Sequence, residues 1–162
     1  MSDVSATVNM AQGGGELVVE SGGKISVESG GIVDIQAGAT IGSICGATFV
    51  IGAEDTNVIN VGIQLTDANG DDLAVIGYVT AFLSDAATGI GIAGTAPATS
   101  TAIGTDGAII LTHVTDQAWL LQSEADGDID LDITETDADT WYLVVVLPNG
   151  LSVVSDAITF AE

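Results

Sequence analysis

The chain has 162 residues, with 23 acidic side chains against one basic side chain, Lys24, for a formal net charge of −22 at pH 7. Hydrophobic residues make up 47% and charged residues only 15%, so apolar side chains suffice for a core and a disordered acidic tail is excluded. A chain with a single cation cannot neutralise a row of phosphates, which excludes nucleic acid and anionic membrane as partners, and the length suits one domain plus a small appendage.

Residues 1–15 read as an N-terminal arm. Val4, Ala6, Val8 and Met10 alternate, and Gly13, Gly14 and Gly15 make a flexible joint. The arm is either a strand that waits for a partner surface or a frayed terminus. It lacks a basic n-region and an apolar h-region, so no secretory signal is expected. No apolar run approaches the roughly 18 residues needed to cross a bilayer.

Residues 16–47 contain a repeat of eight: ELVVESGG, KISVESGG, IVDIQAGA, TIGSICGA. The second position is Leu17, Ile25, Val33 and Ile41; the fourth is Val19, Val27 and Ile35, with Ser43 breaking the series. The last two positions are small in every copy. Alternating apolar residues followed by a small pair describe a short strand and a tight corner. About five strand residues at roughly 3.3 Å each make a side of about 16 Å. Three such sides would close a triangular rung, which takes 24 residues of the 32 available, so one chain completes barely one turn. Repeat architectures need about three units to be stable. Three chains wound together supply one side each and stack about four rungs. The segment 16–56 is therefore expected to form a homotrimeric β-prism or intertwined β-helix, with Leu17, Val19, Ile25, Val27, Val33, Ile35 and Ile41 at the trimer interface. Plain hairpins within a monomer are the alternative, marginal in water at this size. Cys45 lies in the repeat among small neighbours, which suggests packing, and a lone thiol suits a reducing cytoplasm.

From residue 57 the pattern changes. Strands are expected at 58–66, 73–84, 108–113, 117–123, 128–135, 140–147 and 151–161, with 85–106 as a loop. Asn69-Gly70 and Pro148-Asn149-Gly150 supply turns. About seven short strands in 57–162, with almost no helix, fit an immunoglobulin-like β-sandwich. Its core is expected from Ile63, Leu65, Val79, Leu111, Leu120, Ile129, Leu131, Ile133, Leu143, Val145, Leu147 and Ile158. Tyr142 stands where such domains place a corner tyrosine, and Val144 at the position of their second cysteine.

Few side chains here suggest chemistry. Gly89, Gly91 and Gly94 match G-x-G-x-x-G, but that motif needs a following helix, and Thr95-Ala96-Pro97-Ala98-Thr99 is none. Asp126, Asp128, Asp130 and Asp132 alternate with apolar residues, which puts the carboxylates on one strand face. Weak Ca²⁺ or Mg²⁺ association and a solvated acidic face are the two readings; an EF-hand fails, since Leu131 and Asp137 stand where Gly and Glu are needed. His113 has no G-x-S-x-G partner and reads as structural or exposed. One His and one Cys cannot fill a zinc site. No cofactor, no metal and no enzymatic role are expected.

VESGGKISVESGG (19–31) resembles the Gly-rich repeat of phage head fibre proteins, also called head decoration or cement proteins. IGTDGAII (103–110), LLQSEADGDIDLDITETDADTWYLVVVLPNG (120–150) and AITF (157–160) resemble the Ig-like half of the same kind of protein. The resemblance implies a trimer on the outer capsid surface of the virion, at three-fold or quasi-three-fold sites, made in the host cytoplasm and partnered by the major capsid protein. It carries no catalytic residues. Val4, Val8 and Met10 of the arm are candidate capsid contacts; the sandwich is the other candidate for docking. An adhesion or receptor-binding module, such as a tail-fibre tip or surface-glycan binder, is the alternative function.

Overall fold

The structure, a computed structural model, describes residues 44–97 and 100–161. The arm and the repeat positions from Leu17 to Ile41 lie outside the described residues. The described chain forms β1 (Gly46–Ile51), β2 (Val58–Thr66), β3 (Tyr78–Ser84), β4 (Ser100–Ile103), β5 (Ala108–Val114), β6 (Ala118–Gln122), β7 (Asp128–Thr134), β8 (Thr140–Val146) and β9 (Ser152–Thr159), with no helix among these residues. They pair antiparallel in two sheets, β1-β2-β7-β4 and β5-β6-β3-β8-β9.

Period-two alternation sets which faces are buried. Ile59, Val61, Ile63 and Leu65 of β2 stand opposite Ile133, Leu131 and Ile129 of β7 in register and are almost completely buried. From the other sheet come Val79, Ala81 and Leu83 of β3, Trp119 and Leu121 of β6, and Trp141, Leu143 and Val145 of β8. Both sets belong to one apolar core, so the sheets face one another across it. Each large side chain removed from water contributes about 1.5–3 kcal/mol, opposed by the entropy of ordering the chain. Trp141 meets Phe160 edge to face at 6.0 Å. Its Nε1 is buried with no hydrogen-bond partner, which is a local cost within an otherwise apolar site.

The core differs from expectation on β5 and β6. Leu111 is 51% exposed and Leu120 is only half-buried, while Trp119 and Leu121 point inward. The Leu120-Leu121 pair left the parity of β6 open, and a one-residue shift exchanges the faces. On β5, bulges between Ile109 and Leu111 and between Thr112 and Val114 break the alternation. Tyr142 lies half-buried on the outer side of β8, and its neighbour Trp141 enters the core. Val144 also faces away from the core, yet it is buried beneath the loop that holds Gly89.

Three segments differ in extent. Residues 46–51, expected within the repeat segment, pair with β2 along their whole length, from Gly46↔Thr66 to Ile51↔Val61. β3 starts at Tyr78 and not at residue 73. Residues 73–77 are held irregularly: Leu73 N donates to Leu65 O, and Gly77 N donates to Ser123 Oγ. The segment 85–106 contains β4, which pairs with β7 at an edge.

The turns follow their residue chemistry. Asp67 Oδ1 accepts from the amides of Asn69 and Asp71, and Gly70 takes φ +83°. Gly150 turns the β8–β9 hairpin at φ +85°. Hydrogen bonds between Asp55 and Val58 close the β1–β2 hairpin, with Thr56 and Asn57 both at positive φ.

Candidate functional site

Two surfaces of the described domain carry enough distinct chemistry to act as sites. The first is the outer face of the β2–β7 pair. Asp128, Asp130 and Asp132 project there because Ile129, Leu131 and Ile133 project inward. Across the pair, register sets Asp132 beside Asn60, Asp130 beside Gly62, and Asp128 beside Gln64. Asn60 Nδ2 donates to Asp132 Oδ1 at 2.8 Å, and Thr105 Oγ1 donates to Asp130 Oδ2. Gln64 Nε2 donates to the carbonyls of Leu65 and Asp126, each at 2.9 Å. One side-chain amide and one hydroxyl thus hydrogen-bond two of the carboxylates, Asp132 and Asp130.

Burial raises the Asp128 carboxyl above its ordinary value, and the negative charges of Asp126, Asp106, Asp130 and Asp72 push it the same way. Among the described residues no group of three or more His, Cys, Asp or Glu side chains has a geometry that could hold a metal ion. This face offers charge and hydrogen-bond acceptors, with polar side chains of the protein already engaged by two of the carboxylates.

The second surface is one end of the domain, where β2 leaves the first sheet and β3 enters the second. Ile44, Leu73, Val75, Ile76, Tyr78 and Pro148 line a depression of about 510 Å³. Gly77 lies at its floor, where a Cβ would press on the ends of neighbouring side chains. A Cβ there would lie 2.8 Å from Leu65 Cδ1 and 2.9 Å from Ile44 Cδ1. Because residues 73–77 are pulled out of the ladder, Val75 and Ile76 turn outward, 41% and 51% exposed, next to Tyr78 at 51%. Cys45 also lines the depression, half-buried, with its amide donating to Thr66 O. A smaller hollow of about 330 Å³ lies against it, sharing Leu73 and carrying Asp72, Glu124 and Asp126.

The remaining candidates fall elsewhere. Gly89, Gly91 and Gly94 sit in the loop after β3, with Gly89 and Gly91 at positive φ. That loop is tied down by Asp85 Oδ2, which accepts from Gly94 N, and by Gln117 Nε2, which donates to Ala93 O. It leads to the strand β4 and not to a helix, so it lacks the helix N-terminus that would face a pyrophosphate. His113 is exposed on β5 at a bulge. The expected capsid contacts Val4, Val8 and Met10 and the trimer-interface residues Leu17, Val19, Ile25, Val27, Val33, Ile35 and Ile41 lie outside the described residues.

Asp128, Asp130 and Asp132 share one strand face as expected, but Asp126 lies in the turn before β7, and the apolar end was missed. Its signal was present: Leu73-Ala74-Val75-Ile76 runs apolar without alternation. Such a run suits a strand, and residues 73–84 are expected to form one. In the structure the same residues leave the sheet and part of the run faces solvent. No protein-family model matches the chain, and no curated protein sequence matches it significantly.

Proposed function

We propose that this chain is a homotrimeric structural protein of a phage virion, a decoration or head-fibre protein bound to the outer capsid surface at three-fold or quasi-three-fold sites. In this reading residues 16–43 wind three copies together as a short β-prism, and the two antiparallel sheets form an immunoglobulin-like β-sandwich that stiffens the shell or is displayed from it. The partner is the major capsid protein, and the role is mechanical, with no catalysis.

The observation that carries this reading is the spacing of the octads. The octads of one chain complete barely one triangular rung with nothing to stack on, whereas three chains that supply one side each stack several. A three-fold assembly matches a three-fold position on a shell by symmetry. The two antiparallel sheets of the described residues support it by offering broad faces for contact. The charge supports it as well, because a chain with Lys24 as its only basic residue does not adhere to packaged nucleic acid.

The test has two parts. Light scattering of the full chain should report three copies per particle, and co-sedimentation with purified empty heads should retain the protein. A folded single copy at working concentration overturns the assembly. Binding to host glycans or cells, with no binding to heads, would replace the capsid role by adhesion.

A further inference from the structure

We propose that the two-sheet domain is a tension-bearing link: a pull between Ile44 and Ala161 loads both terminal strands in shear, β1 against β2 and β9 against β8, so that each ladder resists as a unit. The inference uses the described residues alone and does not depend on the capsid reading.

Strand direction supplies the first support. Among the described residues β1 and β9 are edge strands, one in each sheet, and their Cα atoms approach within 8 Å of each other. They run the same way. Ile44 and Cys45, just before β1, line the depression together with Pro148 and Asn149 of the turn that precedes β9. At the other pole Ala161 N, just after β9, donates at 2.9 Å to Oε2 of Glu54, in the turn that follows β1. The described chain therefore enters the domain at one pole and leaves it at the other, and the line between the two points runs along the strands.

Pairing decides what such a pull meets. β1 is antiparallel to β2 in unbroken register from Gly46↔Thr66 to Ile51↔Val61. Its first residue stands at the pole where the pull is applied, and the turn that joins it to β2 stands at the far pole. Interstrand N–H···O=C bonds lie perpendicular to the strands, so drawing β1 past β2 strains every pair together. β9 repeats the arrangement in the other sense. Ile158 and Thr159 stand opposite Trp141 and Thr140 at the pole where β9 is pulled, and the turn through Gly150 stands at the far pole. Apolar side chains add to the resistance. Ala47, Ile158 and Phe160 are buried in the shared core, and Phe49, Ile51 and Val153 pack against it, so sliding either strand drags these groups across their neighbours. A pull across the strands meets less. Opening the β1–β2 pair at Gly46↔Thr66 breaks one pair at a time, and each bears the whole load in turn.

The experiment is single-molecule force spectroscopy on the full chain, with handles attached at two thiols. Cys45 with Ala161→Cys applies the pull along the strands, and Cys45 with Ala68→Cys applies it across the open end of the β1–β2 pair; Ala68 and Ala161 are both exposed. Thermal melts of the two variants establish that both are folded alike. Forced unfolding is set by the barrier along the pull and not by equilibrium stability, so the force at one loading rate should be at least about twofold higher for 45–161 than for 45–68. If Cys45 labels poorly, Thr48→Cys, exposed on β1, replaces it as the shared handle in a Cys45→Ala background. A domain that yields along the strands at a force no higher than across them overturns the proposal and leaves the capsid reading standing. A single-copy mass or absent head binding overturns the capsid reading and leaves the force comparison as it is.

Discussion

Asp128 is held in an unfavourable ionisation state by its place on β7. Burial and then the charges of Asp126, Asp106, Asp130 and Asp72 raise its carboxyl, so the folded protein holds that proton more tightly than the unfolded chain does. Between the two values the folded state binds more protons, and stability falls as pH rises through that window. Above the folded value the full penalty is present. Asp128→Asn should therefore raise the melting temperature at pH 7, and the gain should vanish at a pH below the ordinary carboxyl range. Parallel thermal melts at the two pH values check this, and a variant no more stable than the parent at pH 7 would contradict it. The parity of β6 gives a second residue-scale prediction. Leu121 is fully buried and Leu111 half exposed, so Leu121→Ala should cost about 2–5 kcal/mol and Leu111→Ala no more than about 0.5 kcal/mol in denaturant unfolding. At this scale the sequence was informative wherever one polar residue separated each pair of apolar ones, as in Ile129, Leu131 and Ile133. Two adjacent leucines offered no such choice, and the inward turn of Trp119 settled it.

Among the elements, β2 and β7 were legible nearly to the residue because their alternation is unbroken and their turns carry Asn, Asp and Gly. β4 was not. Its sequence, STAI, has one large apolar residue, and it is a strand because β7 offers an open edge to pair with. β1 was obscured by the repeat that precedes it; its pairing with β2 is a long-range property with no local mark. The β1–β2 hairpin also carries a residue its geometry disfavours. Thr56 sits at φ 50°, a conformation that β-branched side chains rarely adopt, with Asn57 next to it at φ 67°. Asn tolerates that region, so Thr56→Asn should stabilise the protein by about 1 kcal/mol, read as a higher denaturant midpoint at unchanged slope. β5 shows how an exposed edge is managed. Its two bulges distort the row of backbone groups that another strand would pair with, and His113 stands at one of them.

For the whole molecule, charge is the dominant long-range term. With −22 per chain, self-repulsion opposes the compact state and, more strongly, the gathering of copies. Salt screens exposed charges beyond roughly 10 Å at 0.1 M, so the melting temperature and the fraction assembled should both rise as NaCl or MgCl₂ is added. A melting temperature indifferent to salt would count against this account. On the proposed capsid role, deleting residues 1–15 should abolish head binding while light scattering still reports three copies, and retained binding would move the contact to another surface. The all-β class was legible in the sequence at this scale, from Gly-rich turns and the absence of helical periodicity. The apolar end was not, because an unbroken apolar run looks the same in sequence whether it stays in a sheet or leaves it.

The two ends of the described chain lie at opposite poles of the two-sheet domain. Ile44 and Cys45 start beside Thr66, whereas Phe160 is tied to Asp139 and Ala161 to Glu54, beyond the far end of β9. Along the eight residues of β9 that is a separation of about 26 Å. A fluorescent protein or peptide epitope fused after Glu162 would therefore sit at the pole opposite Ile44, clear of the depression at the other end.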